Sequence, residues 1–206
     1  MSLLDYFSKD ANIRAKFMFG AIAPIYAKVD PHLVNGYQKV IERLDAEIQI
    51  EGKTVLDIGT GTGAWAMKFT QKNAAKVHGV DLSPKMHKIA KEKHPEIEFS
   101  IGNAENLTAF PDNSFDIVTA SFVVHGVTAD RRKKMLSEMK RITKKHVVLH
   151  DFIGKTPYFV RFLEFIERSD YKNFKQNICT ELQAKFSTTK KIQSEYGSGL
   201  YIASKG

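Results

Sequence analysis

The stretch Thr54-Val55-Leu56-Asp57-Ile58-Gly59-Thr60-Gly61-Thr62-Gly63 runs a short apolar strand into three alternating glycines, with a carboxylate two residues before the first of them. Without a Cβ, Gly59, Gly61 and Gly63 let the chain bend sharply, take φ > 0 and turn main-chain N–H groups toward a bound molecule. The following Ala64-Trp65-Ala66-Met67-Lys68-Phe69 has helical apolar spacing. The glycines therefore sit at a strand-to-helix junction, where nucleotide-like cofactors dock in open α/β sheets. Residues 59–64 also satisfy the loose G-x-G-x-x-G/A dinucleotide pattern, a weak sign on its own. Asp57 speaks against a dinucleotide, whose pyrophosphate it would repel, and for a ligand carrying positive charge.

Further pieces fall at the ends of successive expected strands. Lys76-Val77-His78-Gly79-Val80-Asp81-Leu82-Ser83-Pro84 is a strand ending in an acidic residue and followed by a helix start, with Ser83 as N-cap and Pro84 at the first helical position. Asp81 lies about 20 residues beyond the glycine turn, the separation that brings a carboxylate to a ribose. Phe99-Ser100-Ile101-Gly102-Asn103-Ala104-Glu105-Asn106-Leu107 follows, and then the strand Phe115-Asp116-Ile117-Val118-Thr119-Ala120-Ser121, which leads to His125.

Val55 to Gly63 closely resembles motif I of the class I S-adenosylmethionine (SAM) methyltransferases, whose cofactor carries cationic sulfonium and amino groups. The resemblance implies that Asp57, Gly59, Thr60, Gly61 and Gly63 hold the cofactor, that Asp81 accepts from its ribose hydroxyls, and that Leu82 and Met86 belong to the same site, with Leu82 beside the adenine. Residues 102–105 resemble the family's Gly-Asp-Ala-Glu stretch. Here Asn103 stands where an acidic residue usually faces the adenine amino group, an amide oxygen still able to accept, and Ala104 and Glu105 complete the stretch. Ser121 would open onto the methionine arm. SAM would leave as S-adenosylhomocysteine.

The expected architecture is an α/β fold: a doubly wound, mostly parallel seven-stranded sheet with helices on both faces, the Rossmann-like methyltransferase fold, under a helical N-terminal lid. Strands are expected near 53–58, 76–81, 96–101, 115–121 and 145–151, and helices near 62–72, 84–93, 129–143 and 157–185. Two more strands surround residues 195–199, and the family's sheet ends in a strand inserted antiparallel between its neighbours. Between Asn103 and Asp116 the turn signal Pro111-Asp112-Asn113-Ser114 leaves room for only a short helical turn. Residues 51–206 form the SAM-binding domain. Residues 1–50 form a helical arm broken at Pro24 and Pro31. Within the arm, Phe17 to Tyr26 resembles the entry segment of the quinone-biosynthesis C-methyltransferases, in which a similar stretch folds over the cofactor. Tyr26 is kept and Ala27 replaces the pattern's Asp, so the resemblance implies the lid role and not quinone specificity.

The sulfonium methyl is already electrophilic, so a soft nucleophile needs little beyond alignment, whereas a hydroxyl or carbon acid must also lose a proton. His125 is the first candidate for that base, because its unperturbed pKa lies near neutrality. His150 and Asp151 are second choices. The residues ending the fourth strand, Ser121-Phe122-Val123-Val124, lack the Asn/Asp-Pro-Pro-Tyr/Phe sequence of enzymes that methylate exocyclic base or amide nitrogens. The expected acceptor is a small or medium-sized apolar molecule. Alternatives are an RNA methyltransferase and a SAM-binding protein without turnover, with a nucleotide-binding oxidoreductase more distant.

Composition agrees with one self-sufficient core. A chain of 206 residues buries about 70% of the surface its unfolded form exposes. Cys179 is the sole cysteine, which excludes an intramolecular disulfide and a cysteine zinc cluster; no metal is expected. No stretch approaches the roughly 20 apolar residues of a membrane span. The first ten residues lack a basic segment before a long apolar run, so a cytoplasmic location is expected. The net charge of +8 leaves nucleic acid open as a partner. The basic residues Arg131, Arg132, Lys133, Lys134, Lys140, Arg141, Lys144 and Lys145 nevertheless read as a solvated helix face, with no aromatic platform for base stacking. Phe159, Phe162, Leu163, Phe165, Ile166, Tyr171 and Phe174 form an aromatic stripe of core character; the alternative, which the family resemblance implies for segments beside the fifth strand, is that they help enclose the substrate.

Overall fold

The computed structural model describes residues 3–154, 169–194 and 197–206, with side chains at all of these except 3 and 25–35. Its strands are β1 (Thr54–Ile58), β2 (Lys76–Asp81), β3 (Glu98–Ile101), β4 (Phe115–Ser121), β5 (Thr143–Phe152), β6 (Thr188–Gln193) and β7 (Ser198–Ser204). They form one seven-stranded sheet in the order β3-β2-β1-β4-β5-β7-β6. β1 and β4 are buried along nearly their whole length, the pattern of parallel strands covered on both faces. β7 runs antiparallel to both β5 and β6, between them, as the class I arrangement requires. The helices are α1 (Ala11–Ile48), α2 (Ala64–Gln71), α3 (Pro84–Lys93), α4 (Ala129–Ile142) and α5 (Tyr171–Gln183).

The chain packs as two compact units, Met1–Gly52 with Leu56–Ala104, and Lys53–Val55 with Glu105–Gly206. In the first, Asp10 caps α1 by accepting from the Asn12 and Ile13 N–H groups at 2.7 and 3.4 Å. The helix then runs unbroken to Ile48, through both prolines. This corrects the expected breaks: a proline costs one intrahelical hydrogen bond, and burial of Ala23, Val40, Ile41 and Leu44 on either side offsets it. Tyr37 packs against Trp65 of α2 with ring centroids 5.2 Å apart, and Lys68 donates to Gln38 Oε1 at 2.9 Å. These contacts fasten the arm to the helix that follows the glycine turn. As expected, α3 begins on the Ser83 hydroxyl and Pro84.

In the second unit, Thr54 donates to Asp116 Oδ2 through its N–H and hydroxyl at 2.8 and 2.7 Å. α4 buries Arg132, Met135, Leu136, Met139 and Ile142 and leaves Lys133 and Lys134 exposed. Arg132 overturns its reading as part of a solvated face. Its guanidinium donates to both carboxylate oxygens of Glu181 at 2.7 Å, to the Val127 carbonyl at 3.0 Å and to Asn173 Oδ1 at 2.6 Å. The helix expected over 157–185 starts, within the described residues, only at Tyr171. Ser169 and Asp170 are non-helical: the Ser169 hydroxyl accepts from the Tyr171 N–H at 3.4 Å, and Asp170 turns its carboxylate to Arg132. Tyr171 and Phe174 are core residues as expected, whereas Phe159, Phe162, Leu163, Phe165 and Ile166 lie outside the described residues. Residues 103–114 run as turns without a helix, closed by the Ser114 hydroxyl on the Pro111 carbonyl at 2.8 Å. Among the described residues no helix is long and apolar enough to cross a membrane.

Candidate functional site

The first unit gathers the ends of β1, β2 and β3. Asp57 is 1% exposed, and among the described residues neither carboxylate oxygen has a hydrogen-bond partner; nor has the buried Thr60 hydroxyl. Burial pushes the Asp57 carboxyl up to about 7; the neighbouring Thr60 hydroxyl, close to the carboxyl but outside hydrogen-bond geometry, opposes the rise, and the Asp81 charge adds to it. An isolated buried carboxylate is costly unless it is neutralised or paired.

Asp81 is treated differently. Its Oδ2 accepts from the Gly61 N–H and its Oδ1 from the Ser83 N–H, both at 2.8 Å. One carboxylate thus pins the glycine turn to the start of α3. Burial raises its pKa, and these backbone hydrogen bonds pull it back. The Gly59 and Thr60 N–H groups donate to the Val80 carbonyl at 2.7 and 3.1 Å, and the Gly63 N–H to the Thr60 carbonyl at 2.9 Å. These N–H groups, expected from the sequence to face a ligand, donate within the turn and its neighbours in this structure. Gly59, Gly61 and Gly63 all stand at φ > 0, at 68°, 56° and 85°. A Cβ on Gly61 would enter open space, whereas one on Gly63 would lie 2.8 Å from the His94 ring. Leu82 is half-buried, Met86 is buried in the first turn of α3, and Asn103 and Ala104 are half-buried after β3. The Gly102 N–H donates to the Asp81 carbonyl at 3.0 Å, drawing that segment beside Asp81.

The second unit gathers the ends of β4 and β5 and the 3-10 turn Val124–Gly126. His125 Nδ1 lies 2.7 Å from Asp151 Oδ1, and the His125 N–H donates to Asp151 Oδ2 at 3.3 Å. Ser121 Oγ and His150 Nδ1 are 3.0 Å apart. Burial lowers the His150 pKa to about 4 against the raising pull of Asp151, so His150 stays neutral at physiological pH. Aromatic rings surround these groups. Phe122 lies 4.7 Å from His150, Phe152 lies 4.8 Å from His125, and Tyr171 lies 5.2 Å from Phe152. Tyr201 donates its hydroxyl to the Phe152 carbonyl at 2.9 Å. Phe122 stands at φ 53°, an outlier for a bulky residue.

Of the expected site residues, Asp57, Thr60, Gly61 and Asp81 are brought into mutual contact or influence in the first unit, and Ser121 and His125 belong to the second. Glu105, also in the second unit, accepts from Arg131 Nε at 2.6 Å in an ion pair. Tyr26 lies within α1, and its side chain is outside the described residues. Phe122 and Phe152, whose rings pack against His150 and His125, were not singled out from the sequence: nothing local marks Phe122 for φ > 0, and Phe152 meets His125 only through the fold. Asp151, only a second-choice base by sequence, proves to be the partner of His125.

Residues 55–146 match the family model described as "Methyltransferase domain". The chain is similar to the demethylmenaquinone methyltransferase of Chlorobaculum parvum, with 41% identity over 113 residues, 52% of this chain and 46% of the relative. It is also similar to that of Renibacterium salmoninarum, with 35% identity over 158 residues, 74% of this chain and 65% of the relative. The matched stretch thus spans about half of the first relative's length. Among solved structures, magnesium protoporphyrin IX methyltransferase from Synechocystis with bound SAM shares the fold. Its TM-score is 0.71 at 18% identity, covering 97% of this chain and 99% of that one. The first unit's chemistry fits SAM: a buried carboxylate lacking a partner awaits a cation, and Asp81 keeps lone pairs for hydroxyl donors.

Proposed function

We propose that this chain, whose residues 55–146 are a methyltransferase domain on the class I SAM-dependent fold, binds SAM in its first unit and transfers the methyl group to a small or medium-sized apolar acceptor. The observation that carries this reading is Asp57, buried with neither carboxylate oxygen hydrogen-bonded among the described residues. A ligand bearing sulfonium and ammonium charge supplies the missing partner; a pyrophosphate would worsen the repulsion.

SAM when bound supplies an activated methyl electrophile. The chain's share is binding, alignment and proton handling. Alignment contributes about 7–11 kcal/mol when the reacting atoms are held near 3 Å. Asp81 orients the ribose while keeping the glycine turn in shape, with Gly59, Thr60, Gly61, Gly63, Leu82, Met86, Asn103, Ala104, Glu105 and Ser121 as further contacts. In the second unit the rings of Phe122, Phe152 and Tyr171 receive a flat apolar acceptor and His125 takes its proton; Tyr26 keeps the lid role that the resemblance of its segment implies. The relatives' names make demethylmenaquinone, in reduced form, the first acceptor to try with methyl-labelled SAM. The protein works in the cytoplasm.

RNA methylation is the weaker reading because the basic helix is largely committed inside its own unit. Arg131 pairs with Glu105, Arg132 with Glu181, and Arg141 with Glu138 and Asp112. Steeply salt-dependent binding of tRNA or rRNA would favour it.

Calorimetric titration with SAM and S-adenosylhomocysteine tests the cofactor. Hydrogen bonds to a charged acceptor contribute about 1.5–3 kcal/mol, so Asp81→Ala should weaken SAM binding tens-fold or more. A wild-type protein that gives no heat with either ligand overturns the reading.

A further inference from the structure

The geometry points to Asp151 as a positioning residue for His125, fixing the ring's tautomer and orientation so that it takes a proton from the methyl acceptor; the inference rests on the methyl-transfer reading above. Asp151 is fully buried at the end of β5, and the described structure gives its carboxylate three donors. Oδ1 accepts from His125 Nδ1 at 2.7 Å and from the Phe152 N–H at 2.8 Å, and Oδ2 accepts from the His125 main-chain N–H at 3.3 Å. A carboxylate can only accept, so Nδ1 carries the proton and the lone pair sits on Nε2. Ring and backbone of one residue are bound by one carboxylate, which sets the ring's direction as well as its tautomer.

The surroundings suit a base. Phe122, Phe152 and Phe174 stand 6.4, 4.8 and 6.3 Å from the His125 ring. In so apolar a setting the attraction between an imidazolium and Asp151 is little screened. Phe122 holds φ 53°, a conformation unfavourable for an L-residue that persists where the surrounding structure over-determines it. Among the described residues, the other ionisable groups around the dyad include His150 on β5, Tyr171 on α5, Tyr201 on β7, and Arg132, whose charge lies over the Phe174 ring and is paired with Glu181. His150 is the natural competitor for the role, but its Nδ1 lies at hydrogen-bonding distance from the Ser121 hydroxyl rather than from a carboxylate.

The step balances as follows. The proton leaves the acceptor's reacting atom for His125 Nε2, the electron pair it leaves behind forms the bond to the methyl carbon, and the carbon–sulfur bond breaks with its pair retained on sulfur. The sulfonium becomes a neutral thioether, and the positive charge reappears on His125 beside Asp151. Such a dyad serves acceptors whose reacting atom carries a weakly acidic proton, a phenolic hydroxyl or an enolisable C–H on an apolar ring. Amines and thioethers offer a lone pair directly and do not need it.

Imidazole nitrogen NMR on the full chain tests this, with His125→Gln to assign the signals. The wild type should show His125 as the Nδ1–H tautomer, and Asp151→Asn should lose that signature and shift His125 protonation to lower pH. A wild-type Nε2–H tautomer, or an Asp151→Asn variant that titrates as the wild type does, overturns the inference. If the variant does not fold, the wild-type tautomer decides alone. SAM calorimetry on the same samples separates the two levels: heat with the wrong tautomer removes only the dyad, whereas no heat removes the cofactor reading with it.

Discussion

Two aspartates on central strands, one in each unit, are buried to the same degree and treated in opposite ways. Asp57 on β1 has no hydrogen-bond partner among the described residues, whereas Asp151 on β5 accepts from His125 and from the Phe152 main chain. The same contrast extends to cations: Arg132 in the second unit spends its donors on Glu181, Asn173 and Val127. A buried polar group whose partners are all supplied by the chain acts as a strut or an aligned tool. One left without partners marks where something else must complete it, because the desolvation cost is otherwise unrecovered.

The sharpest way to break this comparison is pH. Asp57 has its folded-state pKa raised from 3.8 to about 7. Below pH 4 both folded and unfolded chains hold that proton. Between about pH 4 and 7 the unfolded chain releases it first, so stability falls as pH rises, by at most about 4 kcal/mol. Asp57→Asn should therefore stabilise the unliganded protein more at pH 8 than at pH 5 in urea unfolding, while weakening SAM binding. An equal effect at both pH values would show that Asp57 is not a neutral buried carboxyl. His150, lowered to about 4, has the opposite slope, losing stability as pH falls from 6.5, and cancels between variant and wild type.

A smaller effect tests the saturated side. Arg132→Met should cost about 3 kcal/mol, the lower end for breaking a buried pair, because Glu181 and Asp170 keep 25% and 29% exposure and can turn to water. Its SAM titration should match the wild type; a loss of SAM heat in a folded variant would blur the distinction between strut and site. The smallest effect refines the glycine turn. Gly61→Ala should cost about 1–2 kcal/mol through φ alone, since a Cβ there meets nothing. Gly63→Ala should cost more, because its Cβ would lie 2.8 Å from His94 and 3.0 Å from Phe99. Thermal melts of the pair in parallel check the order.

What the sequence determined by itself was everything governed by neighbours along the chain. The strand entering Gly59-Thr60-Gly61-Thr62-Gly63, the Ser83-Pro84 helix start, the Pro111 to Ser114 turn and the apolar runs of β1 and β4 follow from backbone freedom, capping and side-chain periodicity. Asp81 was legible too, since strand and helix lengths fix its distance from the glycine turn. Only the tertiary structure decided which groups are paired. His125 meets Asp151 across 26 residues and Arg132 meets Glu181 across 49, distances over which local spacing carries no information. The unbroken helix through Pro24 and Pro31, the left-handed Phe122 and the lonely Asp57 have the same origin. Each is locally unfavourable, and each persists because burial elsewhere in its unit outweighs the local cost.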